Sequence, residues 1–160
     1  MTQQDVYNIL KSSIAELYEK DSILLKKDYD IHERTVCHRL AIYIEKNLKV
    51  DYHVDVEYNR MRTKYGVDDI GDVIGKVLNW EGSGEGSSFV YPDIIIHKRN
   101  TEQNFVDIEV KMVWKNRLKR LDYQKINMYI SQLNYKHGVY VELAENLKES
   151  KIEFGPFLSL

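Results

Sequence analysis

The sequence has few of the features that mark secreted, membrane-spanning or disulfide-bonded proteins. Its 160 residues include one cysteine, Cys37, so no internal disulfide can form, and we expect this residue in the core. No apolar run approaches the roughly 20 residues that a membrane-spanning helix needs. The first residues have neither the basic start nor the apolar stretch of a secretory signal, which makes the cytoplasm the expected compartment.

The chain also lacks an excess of charge of one sign. Its formal net charge is −2, and its 43% apolar and 30% charged residues are typical of a single soluble globular domain over residues 1–160. Attraction of the whole protein to nucleic acid is therefore not expected. Residues 111–125 differ, with six basic residues against one acidic residue. They form either a phosphate-binding patch or a solvated basic helix entry. The candidate nucleic-acid contacts are Lys115, Arg117, Lys119, Arg120 and Lys125.

Several catalytic motifs are missing as well. The glycine-rich segment 81–88 lacks the Gly-Lys-Ser/Thr ending of a phosphate-binding P-loop, so we interpret it as a surface loop or a flap. His32-Glu33 begins like a zinc-protease helix, but the second histidine of that motif is absent. Cys37 and His38 have no partner cysteine pair, which argues against a structural zinc site.

The spacing of apolar residues predicts the order of secondary structure. Helical spacing favours helices over residues 3–20, 31–49, 68–78 and 118–133, the second with Asp30 as its N-cap. Alternation favours strands over residues 54–58, 89–97, 105–113, 138–143 and 152–154, the second and third forming a hairpin. This order predicts an α/β fold in which a mixed central β-sheet is flanked by helices.

The hairpin carries the residues most suited to chemistry. Asp93 stands before the apolar run Ile94–Ile96, where a buried carboxylate needs donors or a cation to offset lost hydration. Glu109 and Lys111 share one face of the next strand, about 6.6 Å apart. If the hairpin is symmetric about Thr101, Asp93 lies opposite Glu109. Two carboxylates so close call for a cation, and Mg²⁺ suits oxygen ligands. The alternative is a half-exposed hairpin whose charged groups simply face solvent.

Two short motifs on this hairpin resemble a known signature. Tyr91-Pro92-Asp93, followed by Glu109-Val110-Lys111, resembles the motif of the PD-(D/E)xK nuclease superfamily, which includes many restriction endonucleases, junction resolvases and repair nucleases. The resemblance implies a restriction-endonuclease-like core over about residues 31–143. It also implies hydrolysis of phosphodiester bonds.

The resemblance further implies roles for individual residues. Asp93, Glu109 and the Val110 carbonyl would bind Mg²⁺, for which Mn²⁺ can substitute, and Lys111 would orient or activate the attacking water. Many members add a metal-linked glutamate from the helix before the first core strand, and Glu33 is the matching residue here. Its alternative role is to complete a capping box at the start of that helix.

These observations favour a Mg²⁺-dependent endonuclease that acts on DNA rather than RNA. The alternative is a catalytically inactive nuclease-fold module that binds or regulates within a larger nucleic-acid-processing assembly. Hydrolysis or binding of a small phosphorylated ligand is a third reading, without a phosphate-binding loop to support it. No membrane partner is expected. A homodimer would supply the two sites that cutting both strands requires, although no coiled-coil seam marks an interface.

Overall fold

Three α-helices and nine β-strands make up the described part of the chain. The computed structural model describes residues 1–62, 73–75, 77–78, 88–115 and 119–158. The helices α1 to α3 span Gln3–Asp21, Glu33–Asn47 and Lys119–Leu133. The strands β1 to β9 span His53–Val56, Arg60–Arg62, Val73–Gly75, Val77–Leu78, Ser88–Phe89, Ile94–His97, Asn104–Met112, His137–Leu143 and Lys151–Phe154. Within these residues, no helix combines the length and the apolarity that crossing a bilayer would require.

A five-stranded mixed sheet forms the centre of the fold. Its strand order is β1-β6-β7-β8-β9, and β7 and β8 are its parallel pair. The other neighbouring strands of this sheet run antiparallel. Helix α3 connects β7 to β8, because parallel neighbours need a crossover that returns the chain to the same end of the sheet. The predicted α/β class with a mixed central sheet and flanking helices is confirmed.

Different helices cover the two faces of this sheet. Val106, Ile108 and Val110 of β7 belong to a large apolar cluster that includes the buried faces of α1 and α2. Ile95 of β6 instead belongs to a second cluster, together with Tyr129 of α3. Because side chains alternate along a strand, the odd-numbered residues of β7 from Asp107 to Lys111 point away from that cluster, toward α3. The two charged residues of the Glu109-Val110-Lys111 motif therefore lie on the α3 side.

The start of α2 differs from the prediction. His32 is the N-cap, with its Nδ1 accepting a hydrogen bond from the Arg34 N–H, and the helix begins at Glu33. Asp30 adopts a left-handed backbone with φ of 41°, and its carboxylate lies 2.7 Å from Lys115 Nζ. The predicted N-cap at Asp30 is therefore wrong, and with it the capping box. The side chain of Glu33 is left to make contacts across the fold.

Two other element predictions need correction. The strand predicted over 89–97 is divided, because Ser88–Phe89 pairs with β4 while the strand of the central sheet begins at Ile94. The helix predicted over 68–78 is wrong where it is described, since residues 73–75 and 77–78 are strands. Their backbones pair with residues 60–62 and 88–89, and these pairings replace the hydrogen bonds of a helix. The rest of that helix and residues 81–87 of the predicted loop lie outside the described residues.

Candidate active site

The register of the β6–β7 hairpin brings the predicted acidic pair together. Ile94 pairs with Ile108, the register expected for a hairpin symmetric about residue 101. Continued by one residue, the same register places Asp93 opposite Glu109. Asp93 Oδ2 accepts a hydrogen bond of 2.8 Å from the Val110 N–H. This bond holds the Asp93 carboxylate against β7, beside the next acidic side chain.

Glu109 carries a buried carboxylate. Its side chain is 1% exposed, and neither oxygen has a hydrogen-bond partner among the residues that the structure describes. Lys125 of α3 forms an ion pair with it, with Nζ 3.5 Å from Oε2. Burial, followed by the charge of Asp93, raises the pKa of Glu109 to about 8. A full negative charge at this position is therefore costly unless a cation approaches closely.

Asp93 is perturbed in the same direction. Burial raises its pKa to about 6, although the charge of Lys111 and the Val110 hydrogen bond lower it. Two neighbouring carboxylates with raised pKa values hold protons at a pH where isolated carboxylates have lost them. A divalent cation would displace those protons, since metal ligands bind in their deprotonated form. Metal affinity at this pair should therefore rise with pH.

Glu33 joins the site through Lys111. Lys111 Nζ donates a hydrogen bond of 2.6 Å to Glu33 Oε1, which links the end of β7 to the first residue of α2. Burial lowers the pKa of Lys111, but the hydrogen bond to Glu33 and the charge of Asp93 outweigh it, and the net shift is upward. Lys111 is therefore a permanent cation at neutral pH. It can supply positive charge and hydrogen bonds, but it cannot accept a proton from water.

Two residues of α3 extend the cluster beyond the residues that the sequence assigned to metal. Asp122 is 3% exposed, and its Oδ2 has no hydrogen-bond partner within the described ranges. Lys125 Nζ lies 3.7 Å from Asp122 Oδ1 as well as close to Glu109. Burial raises the pKa of Asp122. The signal available in the sequence was an aspartate and a lysine three residues apart, which share one face of a helix.

The predicted basic patch is partly neutralised within the fold. Lys115 and Lys119 each lie within 3.3 Å of a carboxylate oxygen, and Lys125 faces the acidic cluster. Arg120 is exposed, whereas Arg117 lies outside the described residues. Nucleic-acid binding by this segment stays a prediction, and contacts through Lys115, Lys119 or Lys125 would require these lysines to exchange partners.

The donor set suits a hard divalent cation. Glu109 and Asp122 offer buried carboxylate oxygens without hydrogen bonds in the described part of the chain, and Asp93 adds a third acid. Mg²⁺ takes oxygen ligands of this kind and fills its other positions with water. Across the described ranges, no three His, Cys, Asp or Glu side chains are already grouped for metal binding. Lys125 bridges two of the acids, so binding an ion requires side chains to rearrange.

Comparisons with known proteins identified no relative of this chain. No family model, curated protein or solved structure matches the chain. The likeness to the PD-(D/E)xK nucleases stays a prediction from the motifs Tyr91-Pro92-Asp93 and Glu109-Val110-Lys111.

Proposed function

We propose that this protein is a Mg²⁺-dependent nuclease with a restriction-endonuclease-like core that hydrolyses phosphodiester bonds in DNA. The observation that carries the proposal is the Glu109 carboxylate. It is buried beside Asp93, it accepts no hydrogen bond within the described residues, and it stands two residues before a lysine that stays protonated. A buried carboxylate whose oxygens keep their acceptor capacity is well suited to bind a cation.

The position of the cluster supports binding of a substrate. Glu109 and Lys111 lie toward the carboxyl end of β7, next to the start of the crossover helix α3. In sheets with parallel strands and helical crossovers, ligands bind outside the carboxyl ends of the strands. Glu33 and Asp93, which come from other parts of the chain, lie at the same end of the sheet. With Asp122 of α3, four separate segments contribute side chains to one end of the sheet.

The charge of the cluster explains why a metal ion is needed to bind phosphate. Fully ionised, the four acids carry four negative charges, and Lys111 and Lys125 supply only two positive charges. The two negative charges that remain would repel the negatively charged phosphodiester. A divalent cation would offset it and give the phosphate a positive partner. The acids are Glu33, Asp93, Glu109 and Asp122.

Each residue of the cluster would have its own role in binding the ion or the substrate. Asp93 and Glu109 would hold the ion, with the Val110 carbonyl as the further ligand that the resemblance implies. Bound Mg²⁺ would polarise the phosphate, lower the pKa of its water and offset charge on the leaving oxygen. Lys111, oriented by Glu33, would donate to a phosphate oxygen or to the attacking water. Asp93 would keep its position because the Val110 N–H binds its other oxygen.

A digestion panel tests the proposal. Supercoiled, linear, branched and single-stranded DNA, together with RNA, would be incubated with MgCl₂, with MnCl₂ or with EDTA. We expect metal-dependent cleavage, with nicking of supercoiled DNA as the mark of an endonuclease. Asp93→Asn can still accept the Val110 hydrogen bond, and Lys111→Met keeps the aliphatic stem. Both should lower cleavage by about 100-fold or more while circular dichroism stays unchanged.

The control for that panel is Lys148→Met, which removes an exposed lysine far from the cluster in sequence. It should cleave like the parent. Equal cleavage by the parent, Asp93→Asn and Lys111→Met would refute the assignment of the site. Cleavage that survives EDTA would refute the metal requirement.

A non-cutting binding or regulatory module is the second candidate, and one observation favours it. Lys111 is already bonded to Glu33 at 2.6 Å, and lysines of the predicted patch are engaged by acids. Such a module should bind nucleic acid or a protein partner without cutting. Calorimetry separates the two candidates, because only the nuclease requires Mg²⁺ or Mn²⁺ binding that Asp93→Asn and Glu109→Gln abolish.

A further inference from the structure

Lys125 of α3 lies beside two buried acids of the cluster, Glu109 and Asp122. Its Nζ is 3.5 Å from Glu109 Oε2 and 3.7 Å from Asp122 Oδ1. Both acids are buried, whereas the Lys125 side chain is 32% exposed. The Lys125 side chain is therefore partly open to solvent, and its flexible four-carbon stem can place the ammonium group elsewhere. The acids themselves have no comparable freedom.

The contacts of Lys125 are looser than a charge-assisted hydrogen bond. Such bonds measure about 2.7–2.9 Å between nitrogen and oxygen. Lys111 makes a contact of this strength with Glu33, at 2.6 Å. Lys125 does not, and both Glu109 oxygens and Asp122 Oδ2 keep their acceptor capacity among the described residues. Lys125 thus compensates the charge of this pair without saturating its oxygens.

We propose that Glu109 and Asp122 form one cation position, which the Lys125 ammonium occupies in the metal-free protein and from which a divalent cation displaces it. The inference rests on the proposed function and adds Asp122 as a metal ligand that the motif does not include. At equal distance, a doubly charged ion would interact more strongly with the two carboxylates than the singly charged ammonium does, which would favour displacement. The freed ammonium then faces the solvent side, where a phosphate of the substrate would approach.

Metal titration of four variants tests the inference without any cleavage assay. MnCl₂ would be titrated into the full chain by calorimetry. Lys125→Met removes the competing charge but keeps the stem, so the dissociation constant should fall by about tenfold or more. Asp122→Asn should raise it by about tenfold or more. Glu109→Gln should abolish binding, and the exposed control Lys148→Met should stay within about twofold of the parent.

A second measurement uses the unaltered protein, so it does not depend on the folding of any variant. Amine acetylation would be followed by mass spectrometry with and without saturating MnCl₂. We expect acetylation of Lys125 to accelerate by about threefold or more when the ion enters, while the exposed Lys148 reacts at an unchanged rate. An unchanged rate at Lys125 would overturn the displacement.

The outcomes separate this inference from the proposed function. Binding that Glu109→Gln abolishes but that Lys125→Met and Asp122→Asn leave within about twofold of the parent overturns the inference and leaves the nuclease proposal standing. Absence of saturable binding in the parent and in Lys125→Met overturns both. Tighter binding in Lys125→Met and weaker binding in Asp122→Asn supports the shared cation position.

Discussion

Replacement of Glu109 by glutamine isolates the energetic effect of the buried carboxylate. Glutamine keeps the shape of the side chain, and its amide can donate to the neighbouring Asp93, but it cannot ionise. In the parent, the pKa of Glu109 is near 4.5 in the unfolded chain and about 8 in the folded one. The folded state therefore holds the proton more tightly. The stability that results is present below about pH 4.5 and is lost as the pH rises through about 8.

The magnitude follows from the transfer of one proton. A single group that titrates in this way changes the free energy of unfolding by about 1.4 kcal/mol per pH unit. Asp93 acts in the same direction up to about pH 6, where its own pKa lies, and it is present in both proteins. Between about pH 6 and 8, the parent should therefore lose about 1.4 kcal/mol per pH unit relative to Glu109→Gln. Mg²⁺ should reverse the loss in the parent, by about 1.4 kcal/mol at a tenfold excess over its dissociation constant.

Urea unfolding followed by circular dichroism measures both effects. The parent, Glu109→Gln and the control Glu19→Gln, which alters an exposed glutamate of α1, would be unfolded across this pH range with EDTA and with MgCl₂. The control should follow the parent. If the stability of Glu109→Gln falls in parallel with that of the parent, Glu109 does not hold its proton as described. If Mg²⁺ stabilises both proteins equally, Glu109 is not a ligand.

Two further predictions concern the framework of the site. Gly138→Ala places a Cβ in steric conflict with Cγ2 of the buried Ile126, so α3 must move or repack on β8. We expect urea unfolding to show a loss of about 1–3 kcal/mol in the free energy of unfolding, and an unchanged midpoint would contradict this packing. Asp55, although partly desolvated, is hydrogen-bonded by His97 and Arg99, which depress its pKa. Its stabilising contribution should be present above about pH 4 and lost as the pH falls further. Asp55→Asn should therefore be less stable at neutral pH by about 1–3 kcal/mol, and its stability should fall less steeply than that of the parent as the pH is lowered. An equally steep fall in both proteins would refute this prediction.

The juxtaposition of Asp93 and Glu109 could be predicted because it depends on local rules. The polar turn between the two apolar strands centres their pairing near Thr101, and the alternation of side chains then sets which residues share a face. Ile94 pairs with Ile108 in that register. The first helix was predictable for a similar reason, since its apolar residues repeat at helical spacing, and it spans Gln3–Asp21 as against the predicted 3–20.

Contacts between distant segments could not be predicted in this way. Asp30 carries the residue type of an N-cap, but Lys115, 85 positions further along the chain, binds its carboxylate and His32 takes the cap. The strands at 73–75 and 77–78 likewise depend on partners at 60–62 and 88–89. Local propensity is weak compared with such pairings, and tertiary contacts override it.

Residue types and the period of the strands were enough to predict a mixed sheet, the hairpin and the position of Asp93 opposite Glu109, but not the order of the strands in the sheet. The hydrogen bond between Lys111 and Glu33, and the approach of Asp122 and Lys125 of α3 to Glu109, are seen only in the folded chain. Those contacts depend on how α2 and α3 dock at the end of the sheet. That docking is set by the packing of both apolar clusters together, and no single segment encodes it.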